Sequence, residues 1–193
     1  APGGLATPAP ASTPPPHRVE GRNVFLTLGI AYTKPPATIY NPATGKDDPV
    51  RLRVYGDCIS SPTISADPGQ SLHIAVANAL PTNNPSCTMG DVSIGCYNVT
   101  NFHSHGLHVS PSGISDNVLR SMHPTASPYP VRIDIPPDHP AGTFWYHAHQ
   151  HGSTAVQVTS GMAGVLIVNG KWKFPRANAD IETILHQPNN APL

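Results

Sequence analysis

Charge is scarce in this chain of 193 residues and neither sign is in excess: 11 Lys and Arg balance 11 Asp and Glu, and charged residues make up 11% of the whole. Without a basic surplus there is no electrostatic footprint for nucleic acid or for an anionic membrane surface, so partners of both kinds are set aside. Long apolar runs are missing as well. None approaches the roughly 20 residues of a membrane-spanning helix. The amino terminus begins at Ala1, with no initiator methionine and no charged-then-apolar leader, and reads as processed. Three cysteines are too few for a disulfide scaffold, although Cys87 and Cys96 bracket a polar turn of eight residues and could be bridged, leaving Cys58 odd. That pattern favours an oxidising compartment, and a secreted or periplasmic location is expected.

What is abundant is proline, with 24 residues, glycine, with 16, and histidine, with 11. Proline and glycine interrupt helical hydrogen bonding, so the composition points to an all-β chain of short strands joined by turns. An apolar fraction of 38% is enough to close one core at this length. Six prolines fall within residues 1–16 among Ala, Thr, Ser and Gly, a mixture that buries too little surface to offset its ordering entropy. The expected division is a disordered proline-rich leader over 1–20, one domain over 21–170, and a linker with a first strand toward a further domain over 171–193.

Strand-length runs of branched and aromatic residues lie at Val24 to Ala31, Arg51 to Tyr55, Leu72 to Ala79, Val99 to His108, Val131 to Ile135, Gly142 to His149, Val165 to Val168 and Ile181 to Leu185. Leu72, Ile74 and Val76 alternate with His73, Ala75 and Ala77, and Val131, Ile133 and Ile135 alternate with Arg132 and Asp134, as on half-buried strands. Nothing of helical period separates these runs, which favours a two-sheet Greek-key sandwich over a parallel α/β sheet. The last run has no hairpin partner near it and reads as the entry to another domain.

The histidines are clustered. Asn101-Phe102-His103-Ser104-His105-Gly106-Leu107-His108 places two of them at i and i+2, and Phe144-Trp145-Tyr146-His147-Ala148-His149-Gln150-His151-Gly152 repeats the device. On a strand, side chains at i and i+2 leave the same face, about 6.6 Å apart at a rise of about 3.3 Å per residue. Two such pairs on neighbouring strands would converge four imidazoles and could hold more than one ion. Neutral imidazole suits copper or zinc, whereas calcium and magnesium call for carboxylates, and no acidic cluster accompanies these residues. His108 and His151 read as rim residues. His17, His73, His123, His139 and His186 have no partner at ligand spacing. Met162 and the glycines around it read as close-packed core.

These segments, with Gly106-Leu107-His108-Val109-Ser110-Pro111-Ser112-Gly113 and Ser160-Gly161-Met162-Ala163-Gly164-Val165-Leu166-Ile167-Val168, resemble the first cupredoxin domain of the multicopper oxidases, the laccase and ascorbate oxidase family, over roughly residues 50–170. The resemblance implies a cupredoxin-like fold and copper as cofactor, with His103 on a type 2 ion and His105, His147 and His149 on a type 3 pair. It also implies an aspartate near the cluster that assists proton delivery. Asp116 occupies that place, although Asn117 stands where many members have glycine, and a surface-loop aspartate is the other reading.

The family's blue type 1 copper needs a cysteine within a His-Cys-His segment, and here Ala148 is the intervening residue. Cys58, Cys87 and Cys96 have no histidines at the corresponding offsets, and the His-Pro-x-His-Leu-His-Gly-His segment is absent. Half a trinuclear cluster is therefore expected, in a domain whose O2 and reducing substrate would be served together with further cupredoxin domains. A free-standing copper module for storage, delivery or sensing, without oxidase turnover, is the alternative, and a zinc-bound structural relic is a third. The sequon Asn98-Val99-Thr100 is not expected to be used.

Overall fold

The computed structural model describes residues 17–34, 36–57, 59–82, 87, 95–125 and 127–170. Two sheets enclose one core. In the first, β2 (Asn23–Tyr32) turns Val24, Leu26, Leu28 and Ile30 inward, and it pairs in parallel with β7 (Ser71–Asn78), which contributes Leu72, Ile74 and Val76. β9 (Tyr129–Asp134) continues that sheet antiparallel to β7 with Val131 and Ile133 inside, so both alternating runs read from the sequence are half-buried strands. β2 is also flanked by β1 (His17–Glu20), antiparallel to it, and by β5 (Arg53–Tyr55), which pairs with its far end, while β9 forms the opposite edge.

The second sheet runs in the order β6 (Ile64–Ala66), β11 (Ala163–Val168), β10 (Gly142–His147) and β8 (His103–His105). Ile64, Ala66, Tyr146, Leu166 and Val168 pack from it against the first sheet in one cluster. The architecture is thus the expected all-β, cupredoxin-like sandwich. Met162 is fully buried, as its glycine-rich surroundings suggested.

Tyr146 organises the sheet that carries the histidines. It is wholly buried, stacks on Phe102 at 5.5 Å and tilts against Tyr55 at 5.3 Å, and its hydroxyl donates to the Pro62 carbonyl. A buried aromatic of this size contributes on the order of 1.5–3 kcal/mol. Gly164 opposes it across the β10/β11 ladder, and a Cβ there would lie 2.4 Å from the tyrosine ring. Only glycine leaves room. Because side chains alternate across a strand, sinking Tyr146 into the core sends Trp145 and His147 to the other face.

Several elements differ from the expectation. The first strand begins at His17, inside the segment assigned to the leader. A hairpin of β3 (Ala37–Asn41) and β4 (Lys46–Val50) carries mostly exposed residues, so no buried face marks it in the sequence. A short helix, α1 (Thr154–Ser160), follows the second histidine pair. It buries only Gln157 and Ser160 and ends on Gly161 at φ 118, so it has no apolar stripe whose period could be read. The expected strand over 99–108 is reduced to its middle, with Thr100 bridging Met122 instead.

Cys87 and Cys96 form a disulfide. Cys58, residues 1–16 and the expected strand from Ile181 to Leu185 lie outside the described residues. Asn98 is 6% exposed, with Nδ2 donating to Pro81 O and Oδ1 accepting from Arg53 Nε, which leaves the sequon's amide nitrogen engaged inside the protein.

Candidate metal centre

The two His-x-His segments fall on paired strands. β8 runs antiparallel to β10, with His103 opposite His147 and His105 opposite Trp145. Ser104 and Tyr146 between them point into the core, so His103, His105 and His147 share the outer face. One ring nitrogen from each of these three lies within 4.8 Å of the other two. The His149 ring joins the group edge-on, with its centroid 5.2 Å from that of His103 and 5.6 Å from that of His147.

Hydrogen bonds decide which nitrogen each ring can offer. His103 Nδ1 lies 3.0 Å from Asp116 Oδ1, and since a carboxylate only accepts, Nδ1 carries a proton, which in the neutral ring leaves the lone pair on Nε2. His147 Nδ1 lies 3.0 Å from the Ala148 carbonyl, with the same result. His147 Nε2 in turn faces His105 Nδ1 at 3.4 Å. Trp145 stacks on His147 at 4.1 Å and on His105 at 5.0 Å, restricting both rings from the side. Burial holds the His147 imidazole below the usual histidine range; its bond to Ala148 O opposes this, while the charges on His103, His149 and His105 act with burial.

Asp116 is buried, and Oδ1 also accepts the backbone N–H of Ser104 at 2.8 Å. It is therefore not a surface-loop aspartate. Its carboxylate fixes the first histidine strand at two points, and neighbouring Asn117 closes the local turn through Gly113 O and Leu119 N. His108 is exposed, and its backbone N–H donates to Nε2 of His139, a buried histidine that the spacing had left without a role.

Two other residues escaped the sequence reading. Asn101 accepts the His149 N–H, and Gln157 on α1 joins Thr100 Oγ1 to the carbonyls of Tyr97 and Val99 just upstream of His103. Both act across long sequence separations, which spacing within one motif does not reveal. Donor chemistry defines what the centre accepts. Imidazoles converge, the nearby carboxylate is already engaged as an acceptor, and the set suits a borderline ion such as copper rather than calcium or magnesium. Ala148, fully buried, stands where a thiolate would be needed for a blue site.

Residues 91–173 match the family model described as multicopper oxidase, a span that contains all four histidines. A laccase of Neurospora crassa is 29% identical over 136 residues, covering 68% of this chain and 18% of its own length. Among solved structures, a multi-copper oxidase from Pediococcus acidilactici superposes with a TM-score of 0.60 at 23% identity, over 86% of this chain and 30% of that one. A multicopper oxidase from Campylobacter jejuni, described as a metallo-oxidase, gives 0.60 at 25% identity over 85% and 30%. The chain thus spans less than a third of the length of these relatives.

Proposed function

We propose that this chain, which carries a multicopper oxidase domain of cupredoxin-like fold, supplies His103, His105, His147 and His149 as half of a type 2/type 3 copper cluster. In this reading His103 serves the type 2 ion and the other three the type 3 pair. The observation that carries it is the convergence of ring nitrogens from both His-x-His segments within 4.8 Å. Bound copper would supply the one-electron chemistry by which O2 is reduced to water at the expense of a reducing substrate. Further cupredoxin domains would supply the remaining ligands and the electron-entry site.

The chain's own residues prepare the ligands. Asp116 and the Ala148 carbonyl hold protons on Nδ1 of His103 and His147, so that Nε2 of each ring is the free donor. His147 Nε2 lies 3.4 Å from His105 Nδ1 and can accept that ring's N–H in the metal-free chain; copper at Nε2 would displace this bond while the His105 proton stays on its own ring. Asp116 is the residue proposed to deliver protons toward oxygen reduction. The disulfide between Cys87 and Cys96 supports an oxidising compartment, and we extend the reading to a secreted or periplasmic protein.

A free-standing copper-binding module is the competing reading, in which the same four histidines would hold one or two ions without oxidase turnover. Copper content of the purified chain tests the site. Wild type is expected to retain copper, and the double substitution His103→Ala, His147→Ala to lose most of it; equal content in both refutes the assignment. Oxygen uptake with a phenolic donor separates oxidase from binder, and any intense blue colour in the isolated chain would contradict the absence of a type 1 site.

A further inference from the structure

We infer that Asn101 is a positioning residue that sets His149 against the other three imidazoles, an inference that rests on reading these histidines as a metal centre. β10 ends at His147, and past it the sheet still holds Ala148, whose N–H donates to Met162 O at 3.2 Å. His149 is beyond the ladder. Its N–H goes instead to Asn101 Oδ1 at 2.6 Å. Asn101 is 0% exposed, so water does not compete for that bond.

The other end of the same carboxamide is also used. Nδ2 donates to Val118 O at 2.7 Å, on the loop that carries Asp116. The backbone of Asn101 is pinned in turn, because its carbonyl accepts the Tyr55 hydroxyl at 3.4 Å and Thr100 Oγ1 at 3.3 Å. One amide therefore joins three segments: the lead-in to His103, the residue His149, and the loop whose carboxylate fixes His103. A carboxamide, in Asn or the longer Gln, carries a donor and an acceptor on adjacent atoms of one planar group. A leucine would fill the space and satisfy neither neighbour.

Copper(II) titration of the full chain against a competing chelator tests this, in a cycle of wild type, Asn101→Ala, His149→Ala and the double variant. Asn101→Ala is expected to weaken copper binding about tenfold or more, as losses of groups behind metal ligands do. The double variant should lose clearly less than the product of the two single losses, because the ligand that Asn101 binds directly is already gone. Amide hydrogen exchange of the metal-free chain provides an arm independent of copper. The His149 N–H should exchange at least tenfold faster in Asn101→Ala, with the Tyr146 N–H in the β10 ladder unchanged.

Additive losses in the cycle, or an unchanged His149 exchange rate, would overturn the inference. Should Asn101→Ala fail to fold, Asn101→Asp keeps the acceptor for His149 but loses the donor to Val118 O, so its His149 N–H should stay protected and its copper affinity fall by less than in His149→Ala. A protected His149 with affinity as poor as that of His149→Ala would then count against it. If wild type takes up no copper, the metal reading fails, and hydrogen exchange alone decides whether Asn101 holds His149.

Discussion

The first His-x-His pair lies wholly on a strand, with His103 and His105 at the ends of β8 and Ser104 buried between them. The second straddles a strand end, with His147 as the last residue of β10 and His149 in the coil beyond it. An identical spacing is thus held by different forces. Ladder pairing to β10 and the Asp116 carboxylate fix the first pair, whereas in the second His147 is held in ladders to β8 and β11 over the buried Tyr146 and His149, beyond them, depends on a side-chain amide. The difference teaches that a sequence pattern for metal ligands specifies which donors are present, while its surroundings specify how firmly each is held.

The comparison can be broken most severely from beneath. Gly164→Val would drive a branched side chain into the Tyr146 ring and should destabilise the domain by at least the roughly 1–3 kcal/mol typical of overpacking. Thermal unfolding should show it, and copper binding at both pairs should fall together. An unchanged melting temperature would mean that Tyr146 is free to move and that His147 is oriented by something else.

A smaller and more selective effect is expected on the first pair. Asp116→Ala removes the acceptor of both His103 Nδ1 and Ser104 N–H and should weaken copper binding about 10–100-fold, with Asp116→Asn recovering part of the loss because it retains an acceptor oxygen. Equal affinities for the Asn and Ala variants would show that the charge, and not the acceptor, is what matters.

The mildest test concerns acidity. The folded-state value of His147 lies below its unfolded value of about 6.5, so between the two the unfolded chain binds more protons. Stability of the metal-free chain should be complete above about pH 6.5 and decline as the pH falls below it toward the depressed folded value. His147→Gln should flatten that slope, and an identical pH profile for variant and wild type would exclude His147 as its source.

Much of this was legible in the residues. Alternation in Leu72 to Val76 and Val131 to Ile135 disclosed two strands, because one face of each is buried and the period of two survives. The paired histidines were legible for a similar reason, since i and i+2 share a face on any strand. Residues Ile39 and Tyr40 of the hairpin are exposed, so no inward face could announce it, and α1 is too short to repeat an apolar position. Asp116 came into view only through resemblance to a family. Asn101 and His139 did not come into view at all, because the groups they bind, His149 N and His108 N, are 48 and 31 positions away.

β8 is the outermost strand of its sheet and only three residues long. Among the described residues no second strand pairs with it, and its Ser104 N–H is already taken by Asp116, so it offers a neighbouring chain little to pair with, which guards a histidine-bearing rim against fibre-like stacking. His105 at its end is exposed, so an ion can reach that ring from the margin of the sheet without any backbone ladder having to open.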